Sequence, residues 1–187
     1  MKLFAALMLA PLVLVSLAAR SDQKLVAAQS TISFTTRQMG VPLEGKFRQF
    51  GAQVDFDPHK PEAARIEIVV DVSSATLGMP DTDAEMVKPD WFNAKQFPQA
   101  TFKATAVKPL GSGKFEVSGK LAIKSVVRDV VVPITLTQSA GNTVAAGTFS
   151  LKRLDYKIGE GDWKDTSLVA DPVQVTFKLL LSGVGPL

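Results

Sequence analysis

The side chains able to do chemistry are few, and their spacing limits what they can do. His59 is the single histidine, and cysteine is absent. A Ser-His-Asp relay would rest on His59 alone. It stands in Asp57-Pro58-His59-Lys60-Pro61, a proline-flanked turn that reads as solvated. Multi-histidine zinc or copper sites are out of reach, as are thiolate metal sites and cysteine-anchored haem. Carboxylates gather twice, at Asp81, Asp83 and Glu85 and at Asp155, Glu160, Asp162 and Asp165. Neither group has the ligand spacing of a calcium loop, so the first reads as helix-start capping and the second as a solvated loop. Gly159-Glu160-Gly161 lacks the third glycine and the Gly-Lys-Ser/Thr ending of a phosphate loop and reads as a turn. The sequence therefore predicts no catalytic residue, no metal and no resident cofactor.

What the chain does concentrate is apolar surface, with eleven Phe, two Trp and one Tyr, nearly all in or beside alternating segments. Ile32 and Phe34 alternate with Ser33 and Thr35; Val54 and Phe56 alternate with Gln53, Asp55 and Asp57. Ile66, Ile68, Val70 and Val72 form one face, Phe115, Val117, Leu121 and Ile123 another, and Val173, Val175, Phe177, Leu179 and Leu181 a third. A period of two puts successive side chains on opposite faces and predicts antiparallel strands with one wet face. Further strands are expected at 100–107, 130–137 and 144–153, separated by turn-rich stretches such as Leu110-Gly111-Ser112-Gly113 and Ala140-Gly141-Asn142. One segment breaks the rhythm. Thr82-Asp83-Ala84-Glu85 reads as a capping box that opens a short helical insert over 83–95, interrupted near Pro89. About eight antiparallel strands must deal with their edges; closure into a barrel does so completely, and a two-layer sandwich is the main rival. A barrel of that size either fills with side chains or holds one small ligand, and the pattern leaves both readings open.

The chain has 187 residues with 21 basic and 18 acidic side chains. Residues 1–19 carry Lys2, an apolar run from Leu3 to Leu17 and the small-x-small site Ser16-Leu17-Ala18, which together predict a secretory signal peptide and a periplasmic location. Residues 20–187 form one domain. Its near-even charge, with basic residues alternating instead of clustering, predicts no nucleic-acid partner. Without cysteine, its stability has to come from the core.

Ser30-Thr31-Ile32-Ser33-Phe34, Met39-Gly40-Val41 and Gly45-Lys46-Phe47 resemble the opening strand and turn of the YceI family of exported lipid-binding proteins. The likeness continues through Asp55-Phe56-Asp57-Pro58, Ser74-Ala75-Thr76, Asp90-Trp91-Phe92 and Phe97-Pro98-Gln99-Ala100-Thr101-Phe102. It also takes in Phe115-Glu116-Val117-Ser118-Gly119-Lys120-Leu121, Val130-Val131-Val132-Pro133 and Arg153-Leu154-Asp155-Tyr156-Lys157-Ile158-Gly159, so that it runs from about Ser30 to Ser182. The resemblance implies an eight-stranded antiparallel lipocalin-like barrel, all-β apart from the insert. It further implies an apolar cavity for an isoprenoid or quinone-type lipid, and a membrane electron-transfer protein as a partner to which a quinone would pass. Gln38 stands where the family often has His, and Thr82-Asp83 where an Arg-Asp pair commonly opens the helix. The resemblance thus implies an apolar chain more firmly than any headgroup.

Strand parity assigns the cavity lining to Ile32, Phe34, Val54, Phe56, Ile68, Val70, Phe102, Phe115, Val117, Leu121, Ile134, Phe149, Val175, Phe177 and Leu179. Trp91, Phe92 and Phe97 of the insert are the expected lid or end plug. Two other functions fit the same residues: an interaction or stress protein with a side-chain-filled barrel, and an enzyme acting on a lipid. The second is weakened by the missing nucleophile and base.

Overall fold

The structure, a computed structural model, describes residues 23–187. The expected leader at 1–19 and its junction lie outside the described residues. The alternating segments form strands, and three further strands join them: the full set is β1 (Lys24–Leu25), β2 (Thr31–Gln38), β3 (Val41–Phe47), β4 (Phe50–Asp55), β5 (Arg65–Asp71), β6 (Ala75–Thr76), β7 (Gln99–Gly111), β8 (Lys114–Ile123), β9 (Val126–Ser139), β10 (Asn142–Lys152) and β11 (Pro172–Ser182) among the described residues. They make one antiparallel sheet in the order β4-β5-β7-β8-β9-β10-β11-β2-β3-β6, with β1 added against β11.

Among the described residues eleven strands stand where eight are expected. The largest addition is β3, whose Pro42, Glu44 and Gly45 give no apolar alternation. Pro42 is tolerated because β3 pairs only with β2 along most of its length. The sheet curls but its hydrogen bonds do not close it, since β3 and β4, joined by Arg48-Gln49, are not paired. Both edges are partly covered. The short strand β6 pairs with Lys46 and Phe47 of β3. At the far end of β4, the Gln23 amide donates to the Phe56 carbonyl at 2.7 Å and accepts from the Phe56 N–H at 3.0 Å. Such covers blunt an edge that would otherwise invite another strand.

Turns and a bulge set the register. Met39-Gly40, Ser112-Gly113 and Ala140-Gly141 all have positive φ, and each links two paired strands. That backbone matches strand twist and makes tight hairpins. In β7 a bulge between Ala104 and Ala106 shifts the pairing. It lets Phe102 and Val107, an odd number of residues apart, both face inward.

The insert differs from its expected form. Its helix, α1, spans Pro80–Met86 with Met79 as N-cap and no side-chain cap. Pro80 starts it early, its fixed φ suiting the first helical turn. Thr82 therefore lies inside the helix, and Glu85 pairs with Lys88 at 2.5 Å instead of reaching back. Asp83 reaches out of the helix, accepting from the Thr76 hydroxyl at 2.6 Å and the Leu77 N–H at 2.7 Å. From Val87 to Pro98 the chain runs in successive turns back to β7.

Candidate functional site: a one-ended apolar cavity

The inward faces of the strands do not meet across the curl. They leave a cavity of about 510 Å³, within the ~300–1,000 Å³ usual for small-molecule sites. Every strand position assigned from parity lies on its wall. Trp91 and Phe92 line it too, whereas Phe97 does not. Phe97 instead donates its N–H to the Asn93 carbonyl and closes the insert as a half-buried turn residue.

One end is shut. Phe56 and Phe115 meet edge to face there with ring centroids 5.4 Å apart, a favoured aromatic geometry. Leu136, Leu179 and Leu181 are buried around them, and Val184 packs onto the same cluster. The other end opens beside α1. Asp81 lines the cavity there and is solvent-exposed, with Gln38, Thr82 and Glu85 around the same rim.

Three glycines explain how the wall holds large rings while leaving a lumen. A Cβ on Gly45 would come 2.3 Å from the Phe34 ring, one on Gly119 2.5 Å from Phe102, and one on Gly147 2.6 Å from Phe177. Gly45 and Phe34 are direct cross-strand partners, as are Gly147 and Phe177. Each phenyl ring thus lies over bare backbone on the neighbouring strand, an arrangement that only glycine permits. Phe34, Phe47 and Phe92 then form a ladder from β2 through β3 to the insert, with centroids 5.4 and 6.1 Å apart.

The insert is pinned over the open end. Lys124 donates to the Pro89 carbonyl at 3.2 Å, the Lys157 carbonyl at 2.6 Å and the Glu160 carboxylate at 3.2 Å. Gly159 and Glu160 both donate their N–H groups to the Asp90 carbonyl. Trp91 lies 5.3 Å from Trp163, and the Arg153 guanidinium sits 5.8 Å from the Trp91 ring centre, within cation–π range. Arg153 is 2% exposed. It donates to five backbone carbonyls, those of Ile158, Gly159, Trp163, Val169 and Ala170. Burial pulls its pKa below the ordinary value and Asp171 pulls it back, and a guanidinium stays charged regardless. Its role is to hold the loop 153–170 in shape.

The carboxylates of the sequence do not converge. Among the described residues no three His, Asp or Glu side chains are grouped to hold a metal. Asp155 faces Arg128 and Glu160 faces Lys124. Asp165 accepts from the hydroxyl and N–H of Ser167, and these bonds hold its pKa below the ordinary carboxylate value. His59 is exposed beside Asp57 and does not line the cavity.

Several lining residues escape the sequence reading. Ile66, Ile123, Val173 and Leu181 carry the right parity and extend its list. Leu43 and Phe47 were hidden with β3. Thr36, Gln38, Asp81, Thr82, Glu85 and Arg153 line the open end, where polar types carry no apolar rhythm to read.

With this geometry in place, a model for the YceI-like domain matches residues 23–181. A UPF0312 protein of Azotobacter vinelandii is 30% identical over 54% of this chain, and the match spans about half of its own length, 53%. A UPF0312 protein of Vibrio parahaemolyticus is 26% identical over 79% of this chain and 83% of its own. Among solved structures, Burkholderia cenocepacia BcnA superposes with a TM-score of 0.81 at 42% identity, covering 83% of this chain and 98% of that one. A polyisoprenoid binding domain from Saccharophagus degradans shares the fold with a TM-score of 0.70 at 18% identity, covering 86% and 98%.

Proposed function

This chain belongs to the YceI-like domain family, and from that premise we propose that it binds one apolar lipid, polyisoprenoid or quinone-like, inside the curled sheet. The observation that carries the reading is a lumen walled by aliphatic and aromatic side chains, shut at one end and left unfilled. Burying an insoluble chain there is worth roughly 25 cal/mol per Å² of apolar surface removed from water and needs no reacting group. The role is sequestration or carriage, not catalysis. Export to the periplasm, the compartment that the leader residues imply, is part of the same proposal, since free lipid chains do not dissolve there. A side-chain-filled barrel acting through its surface fits this interior less well.

The test is to plug the lumen. Val117, 1% exposed at the wall, and Phe177 are changed to Trp together. Lipid uptake should vanish while the β-sheet circular dichroism persists. Unchanged uptake would place the lipid elsewhere and sink the proposal.

A further inference from the structure

We propose that the open end of the curled sheet is a membrane-docking face, which seats on a lipid bilayer so that a lipid enters or leaves the lumen without crossing water. The proposal rests on the lumen being the lipid site.

Four large apolar side chains stand exposed at that end: Met39 (70%), Val41 (60%), Leu168 and Met79. None of them lines the lumen, yet each adjoins a residue that does. Met39 follows Gln38, Val41 pairs with Gln38, Leu168 precedes Val169, and Met79 stands two residues before Asp81. They come from three separate segments: the β2–β3 hairpin, the loop before β11 and the start of α1. The Met39 N–H donates to the Leu168 carbonyl at 2.8 Å, which ties the first two together. β6 runs antiparallel to β3 and leads from its Lys46–Thr76 pair toward the hairpin, carrying Met79 to the same side.

The hairpin itself argues for a use. Met39 has φ 47 and Gly40 φ 80, the left-handed backbone that tight hairpins fill with Asn, Asp or Gly. In the β7–β8 and β9–β10 hairpins the position of Met39 is taken by Ser112 and Ala140, both small. At the mouth it holds a long apolar side chain that neither the turn nor the core requires. Methionine is flexible and apolar, and suits a fluid hydrocarbon boundary.

The size of the patch and its position name the occupant. Four side chains expose on the order of a few hundred Å², well below the ~800 Å² per partner of a stable protein interface. The patch is continuous with the lumen wall, and a water-insoluble ligand has to arrive from a lipid phase. Charge on these segments is balanced, with Arg37, Lys46 and Lys164 matched by Glu44, Asp81 and Asp165. Contact is therefore brief and driven by apolar insertion, not by attraction to anionic lipid.

The chain has no cysteine, so Met39→Cys carries a single environment-sensitive dye. Leu110→Cys, exposed near the β7–β8 turn at the closed end, is the control. On phosphatidylcholine vesicles the Met39 dye should brighten and shift to the blue, and the Leu110 dye should not change. Stopped-flow transfer of a pyrene-labelled polyprenol from vesicles should speed up in proportion to vesicle concentration, as collision requires. Met39→Ser, Val41→Ser, Met79→Ser and Leu168→Ser together should slow that transfer at least tenfold. Uptake of the same polyprenol from detergent micelles should stay within twofold of wild type, which also shows that the variant folds. Salt and anionic lipid should change the transfer rate less than twofold. A rate indifferent to vesicle concentration or to the four substitutions would overturn the docking face while leaving the lumen as the lipid site. A dimer that the same substitutions dissolve, with no dye response on vesicles, would give the face to a second copy and overturn the bilayer. Protein that stays empty with micelles and vesicles alike would overturn the lumen reading, and the proposal with it.

Discussion

Gly45→Ala puts the account of the lumen wall at risk with a single methyl group. A Cβ at Gly45 would lie 2.3, 2.7 and 2.8 Å from three atoms of the Phe34 ring, where non-bonded carbons rest at about 3.5–4.0 Å. The ring must therefore move by more than about 1 Å, and backbone behind it leaves the lumen as the open direction. Overpacking of this kind costs about 1–3 kcal/mol, or roughly 2–12 °C in Tm for a domain of this size. The sign is informative, because Ala for Gly in an unhindered strand stabilises by about 0.5–1 kcal/mol. Gly51 in β4 supplies that control, since a Cβ there meets nothing within 4 Å. Thermal unfolding and lipid titration on the same samples check both halves. Gly45→Ala should lose stability and bind lipid about tenfold more weakly. Gly51→Ala should be neutral or better, and Gly45→Ala with Phe34→Leu should recover uptake. A Gly45→Ala protein with undiminished Tm and affinity would refute the idea that bare backbone holds the rings out of the lumen.

Arg153→Lys keeps the charge but has at most three donors for five carbonyls; denaturant unfolding should show a loss of about 2–4 kcal/mol. Gln23→Ala removes both bonds that hold the β4 edge at Phe56 and should cost about 1–2 kcal/mol by the same assay. Asp83 has its carboxyl held below the ordinary 3.8, chiefly by the Thr76 hydroxyl, against an upward push from burial and with help from the Leu77 N–H and Arg48. Its charged form is favoured in the folded state, so its contribution is complete above 3.8 and is lost as pH falls through the lower folded value. Urea unfolding across that acid window should bring the wild type down toward Asp83→Asn, while the two stay apart at neutral pH.

Residues with a strong period of two were legible before any coordinates. Phe115, Val117 and Leu121 on β8 and Val175, Phe177 and Leu179 on β11 face inward as their alternation requires. β3 was illegible because Pro42 and Gly45 break the pattern, and both are there for reasons of pairing and ring clearance that involve other strands. The unfilled interior was equally hidden, since alternation says which face is apolar and not whether opposite faces touch. That outcome depends on glycines set against phenyl rings, a cross-strand relation absent from any single segment. The rim is the extreme case. Gln38, Asp81 and Arg153 come together from β2, α1 and the end of β10, and nothing local marks them. The capping box failed because Pro80 set the helix start first and Asp83 found better partners outside the helix.

The most direct test of the central claim is native mass spectrometry of the protein recovered from the cell envelope, followed by organic extraction and identification of what is released. The account predicts one apolar lipid per chain, released on unfolding and retaken by the emptied protein, with the Val117→Trp, Phe177→Trp variant recovered empty. A protein that is recovered at its bare mass and stays empty through incubation with prenylquinones and polyprenols would contradict it.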